Sequence, residues 1–279
     1  MPAPETRGPV DGPVRCAVLG RPVEHSLSPV LHRAAYAELG LGWRYDAVEV
    51  SEQSLAGFVG DLGPSWRGLS LTMPLKRAVL PLLSEVSDTV RATGAANTVL
   101  REVDGRLLGD NTDVPGLVAA LAERGLSDIG SALVLGGGAT ATSTVVALER
   151  LGCRRITLAA RDPRRAAEAA EAGTAVRVVQ LSDLVAQRVD LVVSTIPAAA
   201  QDSAVLELTG RAVALFDVIY DPWPTSLAVA FADAGRPVLG GLDLLVHQAA
   251  LQVELMTGRP TAPLAAMRAA GAQALAARH

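Results

Sequence analysis

The sequence predicts an α/β protein whose second half carries a parallel sheet. Three observations point there. After Asp113, short and nearly continuous apolar runs alternate with helical stretches; the runs are Ala132–Leu135, Arg155–Ala159, Val176–Val179, Leu191–Ser194 and Ala212–Val218. Short strands buried on both faces and spaced by helices imply parallel pairing with right-handed crossovers. The first of these runs passes through three glycines, Gly136–Gly138, into a helix-forming segment. Of 279 residues, 49% are hydrophobic and 19% charged, which supplies a sizeable core and rules out disorder for the bulk of the chain.

The elements follow in order. MPAPETRGPVDGP has proline, glycine and charge but no basic start before an apolar run, so it reads as a short flexible tail and not as a signal peptide. Val14–Leu19 is a strand closed by Gly20. Ser28 suits a helix cap and Pro29 a first turn, giving a helix over Pro29–Leu39 that Gly40 ends. Trp43–Val50 is a second strand, Ser51 opens a helix to about Leu62, and Trp66–Thr72 is a third strand. Thr72–Lys76 turns into helical material. Thr98–Val103 and Arg106–Leu108 form a hairpin, because Asp104-Gly105 favours a tight turn. Asp113 suits a cap for the helix from Val114. The division into domains is 14–112, 113–240 and 241–279, the last holding two helices about Gly258-Arg259-Pro260.

Composition excludes several classes of partner. Lys plus Arg is 25 and Asp plus Glu is 29, a net charge of −4 with no global pull toward nucleic acid or an anionic membrane. Aromatics are 3%, too few for base-stacking platforms. Cys16 and Cys153 sit among apolar neighbours and read as buried thiols. His25, His32, His247 and His279 form no metal-ligand pattern, so no metal is expected. The uncharged stretch Ile129–Leu148 is long enough for a bilayer. Its glycines and hydroxyls make it a poor lipid-facing helix and a good strand–turn–helix. The expectation is a cytoplasmic protein acting on a small molecule, with no membrane or nucleic-acid partner.

The glycine turn reads G-x-G-x-x-A. Gly136 permits a tight turn, Gly138 lets backbone approach a pyrophosphate, and Ala141 lets helix and sheet pack closely. Phosphates would meet free N–H groups at the positive end of the helix. The next strand ends in Arg161-Asp162-Pro163-Arg164-Arg165 and not in the acidic residue usual for NAD. Arginines bind a 2′-phosphate through paired N–H groups, which favours NADP. Asp162 leaves two readings open: pairing with Arg161, or accepting a ribose hydroxyl and admitting NAD; the plain alternative for the whole segment is a solvated helix start of mixed charge.

The first half holds a second set of polar blocks, each beside an expected strand. HSLSP (His25–Pro29), SLTMPLK (Ser70–Lys76), GAANT (Gly94–Thr98) and DNTD (Asp110–Asp113) join GGGAT (Gly136–Thr140), STIP (Ser194–Pro197), DVIYDPWPT (Asp217–Thr225) and GLDLLVHQA (Gly241–Ala249). In order and spacing this combination resembles the shikimate dehydrogenase family from about Val14 to Met267. The resemblance implies an N-terminal α/β substrate-binding domain, a Rossmann-like NADP-binding domain, and C-terminal helices returning to the first. It implies reversible reduction of 3-dehydroshikimate by NADPH, with a monomer or homodimer as the family expectation.

Carried over block by block, the resemblance assigns Lys76 and Asp113 to catalysis. It assigns Ser26, Ser28 and Tyr220 to the substrate carboxylate, and Thr72, Asn97, Asp113 and Gln248 to ring hydroxyls. Gly136, Gly137, Gly138, Ala139 and Thr140 would hold pyrophosphate, and Arg161 with Arg165 the 2′-phosphate. Val218 and Gly241 would border the nicotinamide, and Asp88 matches a weaker position near cofactor. Three positions depart from the family. Ser70 stands where many relatives have Asn, Ala160-Arg161-Asp162 replaces Asn-Arg-Thr, and Asp243 is either a helix cap or the mark of a variant. The competing expectations are a member acting on quinate or an amino analogue, with NAD or both cofactors, and a non-catalytic NADP-binding regulator. A pure sensor needs neither Lys76 nor Asp113.

Overall fold

The computed structural model describes residues 13–183 and 188–278, the side chain of Arg165 excepted. The expected tail therefore lies, up to residue 12, outside the described residues. The described chain divides into two compact units: residues up to Thr112 together with those from Leu245 onward, and Asp113–Leu244.

The first unit contains β1 (Arg15–Gly20), α1 (Ser28–Glu38), β2 (Arg44–Glu49), α2 (Glu52–Gly60), β3 (Trp66–Leu71), α3 (Leu75–Ala78), β4 (Glu85–Val86), α4 (Asp88–Thr93), β5 (Thr98–Arg101) and β6 (Leu107–Asp110). Its sheet runs β2-β1-β3-β5-β6-β4. β1 pairs in parallel with β2 and β3, β5 runs antiparallel to β3 and β6, and β4 is parallel to β6. This topology brings the carboxyl ends of β1, β3 and β6 to the same end of the sheet as the amino end of β5.

The second unit holds α5 (Asp113–Glu123), β7 (Ser131–Leu135), α6 (Ala139–Arg150), β8 (Arg155–Ala160), α7 (Pro163–Ala170), β9 (Val176–Gln180), β10 (Val189–Ser194), α8 (Ser203–Leu206), β11 (Ala212–Asp217), α9 (Ser226–Asp233) and β12 (Val238–Leu239). Its sheet runs β12-β11-β10-β7-β8-β9 and is parallel throughout. β7 sends the chain outward to β8 and later receives β10 on its other side, so the order reverses at β7. The alternation of strand residues divides the core: Ala132, Val134, Ile156 and Leu158 pack on one face, Leu133, Leu135 and Val192 on the other.

α10 (Gly241–Thr257) and α11 (Leu264–Ala276) complete the chain, and the unit division falls inside α10. From Leu245 onward these helices belong to the first unit. α11 packs on α1. Arg67 Nε on β3 donates to the Met256 carbonyl at 2.8 Å, and Gly68 leaves room for the Met256 side chain.

Three local expectations are corrected. Ser28 does not cap the first helix; it is the first residue of α1, behind Leu27, and its own N–H donates to Ser26 Oγ at 3.2 Å. Asp104-Gly105 is not a two-residue turn. Gly105 N–H donates to Glu102, Gly105 adopts φ +90°, and Glu102 N–H meets Arg106 O, which makes a longer loop between β5 and β6. β4 and α4 have no counterpart in the sequence expectations, since two residues carry no alternation.

The core beneath α1 contains a buried imidazole. His32 stacks on Tyr45 with ring centroids 3.9 Å apart, and its Nδ1 meets the Ser28 carbonyl at 2.9 Å. Nε2 has no hydrogen-bond partner. Burial lowers the His32 pKa to about 4, against a smaller raising effect of the Ser28 bond. The unfolded chain therefore binds the extra proton between pH 6.5 and about 4, and stability falls as the pH falls through that window. The loss by pH 4 is on the order of 3 kcal/mol. Thermal unfolding of His32→Phe should show a shallower acid loss than the parent chain over this range; equal slopes would remove His32 as the cause.

Candidate active site

One end of the first sheet gathers the polar blocks. After β1, Gly20 lies against the Thr72 side chain, where a Cβ would overlap the methyl group. Thr72 N–H donates to Leu19 O at 2.9 Å and Arg21 N–H to Met73 O at 2.9 Å, which stitches the loops following β1 and β3 together. Half-buried Ser26 lies in the first loop and buried Ser28 opens the helix α1 that follows it; Thr72 lies in the second loop and Lys76 on α3 after it. Lys76 sits half-buried on α3, its carbonyl accepting the Ala96 N–H at 2.8 Å.

Asn97 enters from the antiparallel strand. Its carbonyl accepts the Leu71 N–H at 2.7 Å, and its own N–H donates to Asp110 O at 3.1 Å. Its side chain joins three elements. Oδ1 accepts the Thr112 N–H at 2.8 Å, while Nδ2 donates to Thr112 Oγ1 at 3.0 Å and to Gln248 Oε1 on α10 at 3.2 Å. Asp113 follows Thr112 directly as the buried first residue of α5. Asp88 is exposed on α4 and paired with Arg91.

Sequence reasoning missed the second tier beneath Asn97. Gln252 Nε2 donates to Asn97 O at 3.1 Å and to Thr98 Oγ1 at 3.0 Å. Ser70 Oγ donates to Gln252 Oε1 at 2.8 Å and accepts from Tyr45 OH at 2.6 Å. The signal was available in part: Gln248 and Gln252 stand four residues apart on one helix and so share a face. Ser70, expected to affect loop packing, is instead a buried strand residue in this tier.

The second unit presents its own set at the carboxyl ends of parallel strands, where the strand order reverses. Gly136 ends β7 at φ +119°, and a Cβ there would overlap Thr195 Oγ1 after β10. Gly138 precedes α6 without a side-chain cap, so the first N–H groups of that helix carry no capping side chain. Gly138 is exposed, and a Cβ on it would meet nothing within 4 Å. The protein's own packing does not require glycine at 138. Gly137 lies in the turn, Ala139 and Thr140 open α6, and Ala141 is buried against the sheet.

Arg161 follows β8 and lines a cavity of about 480 Å³ with Gln180, Leu181, Ser182, Ala200 and Asp202. Arg165 lies on α7, its side chain outside the described residues. Asp162 caps α7, its Oδ1 accepting the Arg164 N–H at 3.0 Å, which fits the reading of this segment as a helix start. A dinucleotide with a 2′-phosphate fits these residues: an uncapped helix end, a glycine whose Cβ space is open, and a guanidinium beside a cavity.

Val218 and Tyr220 follow β11, both half-buried. The segment is anchored by buried Asp217, which accepts Thr225 Oγ1 at 2.7 Å, Gln201 Nε2 at 2.8 Å and the Ile219 N–H at 3.2 Å. Burial pushes the Asp217 carboxyl up, and the hydrogen bonds from Thr225 and Gln201 oppose this. Gly241 N–H donates to Ile219 O at 3.1 Å, and a Cβ on Gly241 would overlap the Val218 carbonyl. Asp243 settles as a helix residue that reaches back: Oδ2 accepts the Gly240 N–H at 3.2 Å, and Oδ1 meets Arg124 at 3.4 Å. Among the described residues no group of three or more His, Cys, Asp or Glu is placed to hold a metal, and no helix is long and apolar enough to cross a membrane.

Comparison with known proteins covers both units. Residues 18–99 match the shikimate dehydrogenase substrate binding domain, 120–207 the shikimate / quinate 5-dehydrogenase domain, and 241–270 the shikimate 5'-dehydrogenase C-terminal domain. The chain is 37% identical to the shikimate dehydrogenase (NADP(+)) of Thermus thermophilus over 249 residues, covering 88% of this chain and 93% of that one. Crystal structures agree. The shikimate dehydrogenase of Mycobacterium tuberculosis superposes with a TM-score of 0.85 at 41% identity, covering 94% of this chain and 100% of that one. A Thermus thermophilus shikimate 5-dehydrogenase in complex with NADP(H) and shikimate superposes at 0.84 with 35% identity, covering 94% and 99%. A glycine turn beside an arginine in one unit, an Asn97–Gln248 pair in the other and relatives matched along nearly the whole chain lead to one assignment: this chain belongs to the shikimate dehydrogenase family.

Proposed function

We propose that the protein is a shikimate dehydrogenase, interconverting 3-dehydroshikimate and shikimate with NADPH and NADP+. The observation that carries this is the buried Asn97–Gln248 amide pair, seated at the sheet end that also delivers Thr72 and Lys76. Such a set suits a small, densely hydroxylated ring: it offers donors and acceptors that only a polyol satisfies together.

The bound nicotinamide supplies or takes up the hydride. The chain's residues do the rest. Lys76 gives a proton to the substrate oxygen in reduction and takes it back in oxidation, its ammonium also offsetting the negative charge that builds there. Asp113 bonds the same hydroxyl and orients it. Thr72, Asn97 and Gln248 hold the remaining ring hydroxyls. Ser26, Ser28 and Tyr220 hold the carboxylate, helped by the amino end of α1. Gly136–Thr140 bind the pyrophosphate, Arg161 and Arg165 the 2′-phosphate, and Val218 and Gly241 border the nicotinamide. Asp88 contributes near the cofactor in this scheme. The enzyme works in the cytoplasm as a monomer or homodimer.

The direct test is loss of NADPH absorbance with 3-dehydroshikimate, run beside quinate with NAD+ and NADP+. Turnover restricted to quinate, or absent with every pair, would overturn the proposal. Arg161→Ala checks the cofactor assignment. Loss of charge-assisted hydrogen bonds should raise the NADPH KM about 10- to 100-fold. The much weaker NADH reaction should not change; equal effects on both would contradict a 2′-phosphate contact.

A further inference from the structure

We infer that Gln252 is a positioning residue. A one-way chain of hydrogen bonds starting at Tyr45 fixes which way the Asn97 and Gln248 amides face, and thereby which substrate oxygens that end of the sheet accepts. This rests on the dehydrogenase reading above and assigns a role to side chains that touch no substrate in it.

The direction follows from donor and acceptor counts. Gln252 places one terminal atom 3.1 Å from the Asn97 main-chain carbonyl, which only accepts, so that atom is the NH2 nitrogen. Its second N–H points to Thr98 Oγ1 at 3.0 Å. Thr98, having accepted there, gives its own proton to Asn97 Oδ1 at 2.8 Å. Asn97 Oδ1 also receives the Thr112 main-chain N–H, which only donates. Asn97 is thereby locked with Nδ2 toward Thr112 Oγ1 and Gln248 Oε1.

The far end of the chain is equally constrained. Gln252 Oε1 needs a donor and finds Ser70 Oγ–H at 2.8 Å. Ser70 then accepts the Tyr45 phenol proton at 2.6 Å. Burial holds that phenol protonated, against weaker opposing bonds to Ser70 and Ser28. Gln248 Nε2 donates one hydrogen to Leu245 O at 2.9 Å, and its second hydrogen is the group this end of the chain offers to a substrate oxygen. Tyr45, Ser70, Thr98, Asn97 and Gln252 are all buried, so water does not replace a lost member.

Two variants test this. Gln252→Met keeps length and volume but supplies no donor; Tyr45→Phe keeps the ring stacked on His32 and removes only the first proton. Shikimate affinity is measured by calorimetry without cofactor, and steady-state constants are measured for both substrates. Gln252→Met should weaken shikimate about tenfold or more and leave the NADP+ KM within about twofold, since Thr98 Oγ1, left without its donor, no longer directs its own proton to Asn97 Oδ1, and only the Thr112 N–H still orients that amide. Tyr45→Phe should weaken shikimate several-fold in the same direction. Discrimination against analogues lacking one ring hydroxyl should narrow in both. Unchanged shikimate affinity in the folded variants overturns the inference, as does a parallel loss for shikimate and NADP+ that tracks a lowered Tm. If Gln252→Met does not fold, Tyr45→Phe decides alone. A parent enzyme that never turns over shikimate sinks the underlying reading; an active parent with indifferent variants sinks only this inference.

Discussion

Lys76→Ala should lower turnover about 10²- to 10⁴-fold, the range usual for a positioned proton donor. The loss falls on chemistry and not on folding. Lys76 is half-buried on the single turn α3, whose neighbours Leu75 and Val79 are fully buried. NADP+ binding should stay intact, because Lys76 is not among the groups assigned to the cofactor. Lys76→Arg separates the two jobs of the ammonium. A guanidinium keeps the positive charge but does not release a proton at accessible pH, so turnover should stay low. Stopped-flow hydride transfer and equilibrium NADP+ titration measure the two effects separately. Near-normal turnover in Lys76→Ala would remove this residue from its role.

Gly241→Ala should disrupt both stability and cofactor binding. The added methyl would overlap the Val218 carbonyl, and its next neighbours are also backbone atoms of Val218 and Ile219, which no rotamer change relieves. Either α10 shifts at its first residue or the segment after β11 moves. Overpacking of this kind costs about 1–3 kcal/mol. The hydrogen bond from Gly241 to Ile219 at 3.1 Å is strained in either case. Gly138→Ala is the contrast. Its Cβ meets nothing within 4 Å, so the Tm should hold while NADP+ affinity drops, because the methyl occupies space the pyrophosphate needs. Equal Tm values for Gly241→Ala and the parent would contradict the backbone overlap. Equal NADP+ affinities for Gly138→Ala and the parent would remove the phosphate from this turn.

The parallel second half was readable because its inner strands, β7, β8, β10 and β11, are largely buried and so appear as nearly plain apolar runs, whereas the edge strand β9 is partly exposed. Gly136 and Ala141 could be placed because each meets a separate steric demand, the first against Thr195 and the second between helix and sheet. The first half was harder. Its sheet mixes parallel and antiparallel pairs, and β4 is only two residues long. Ser28 looked like a cap by composition, yet Ser26 accepts its N–H two positions earlier. Asp162 caps a helix, as the plain reading of its segment as a solvated helix start has it. The tier of Tyr45, Ser70 and Gln252 was invisible because these residues stand far apart in sequence. Ser70 and Gln252 are separated by 182 positions, and nothing local marks them as partners.

That separation has a consequence for synthesis. The first unit leaves off at Thr112 and resumes at Leu245, so the ribosome releases its sheet long before the helices that finish it. Arg67 waits for Met256 across 189 positions, roughly 10–40 s of elongation at ordinary rates. The second unit, one uninterrupted stretch, closes on itself as it emerges. Throughout that interval the nascent chain carries an unfinished N-terminal sheet, and this is the period in which holding chaperones have something to grip.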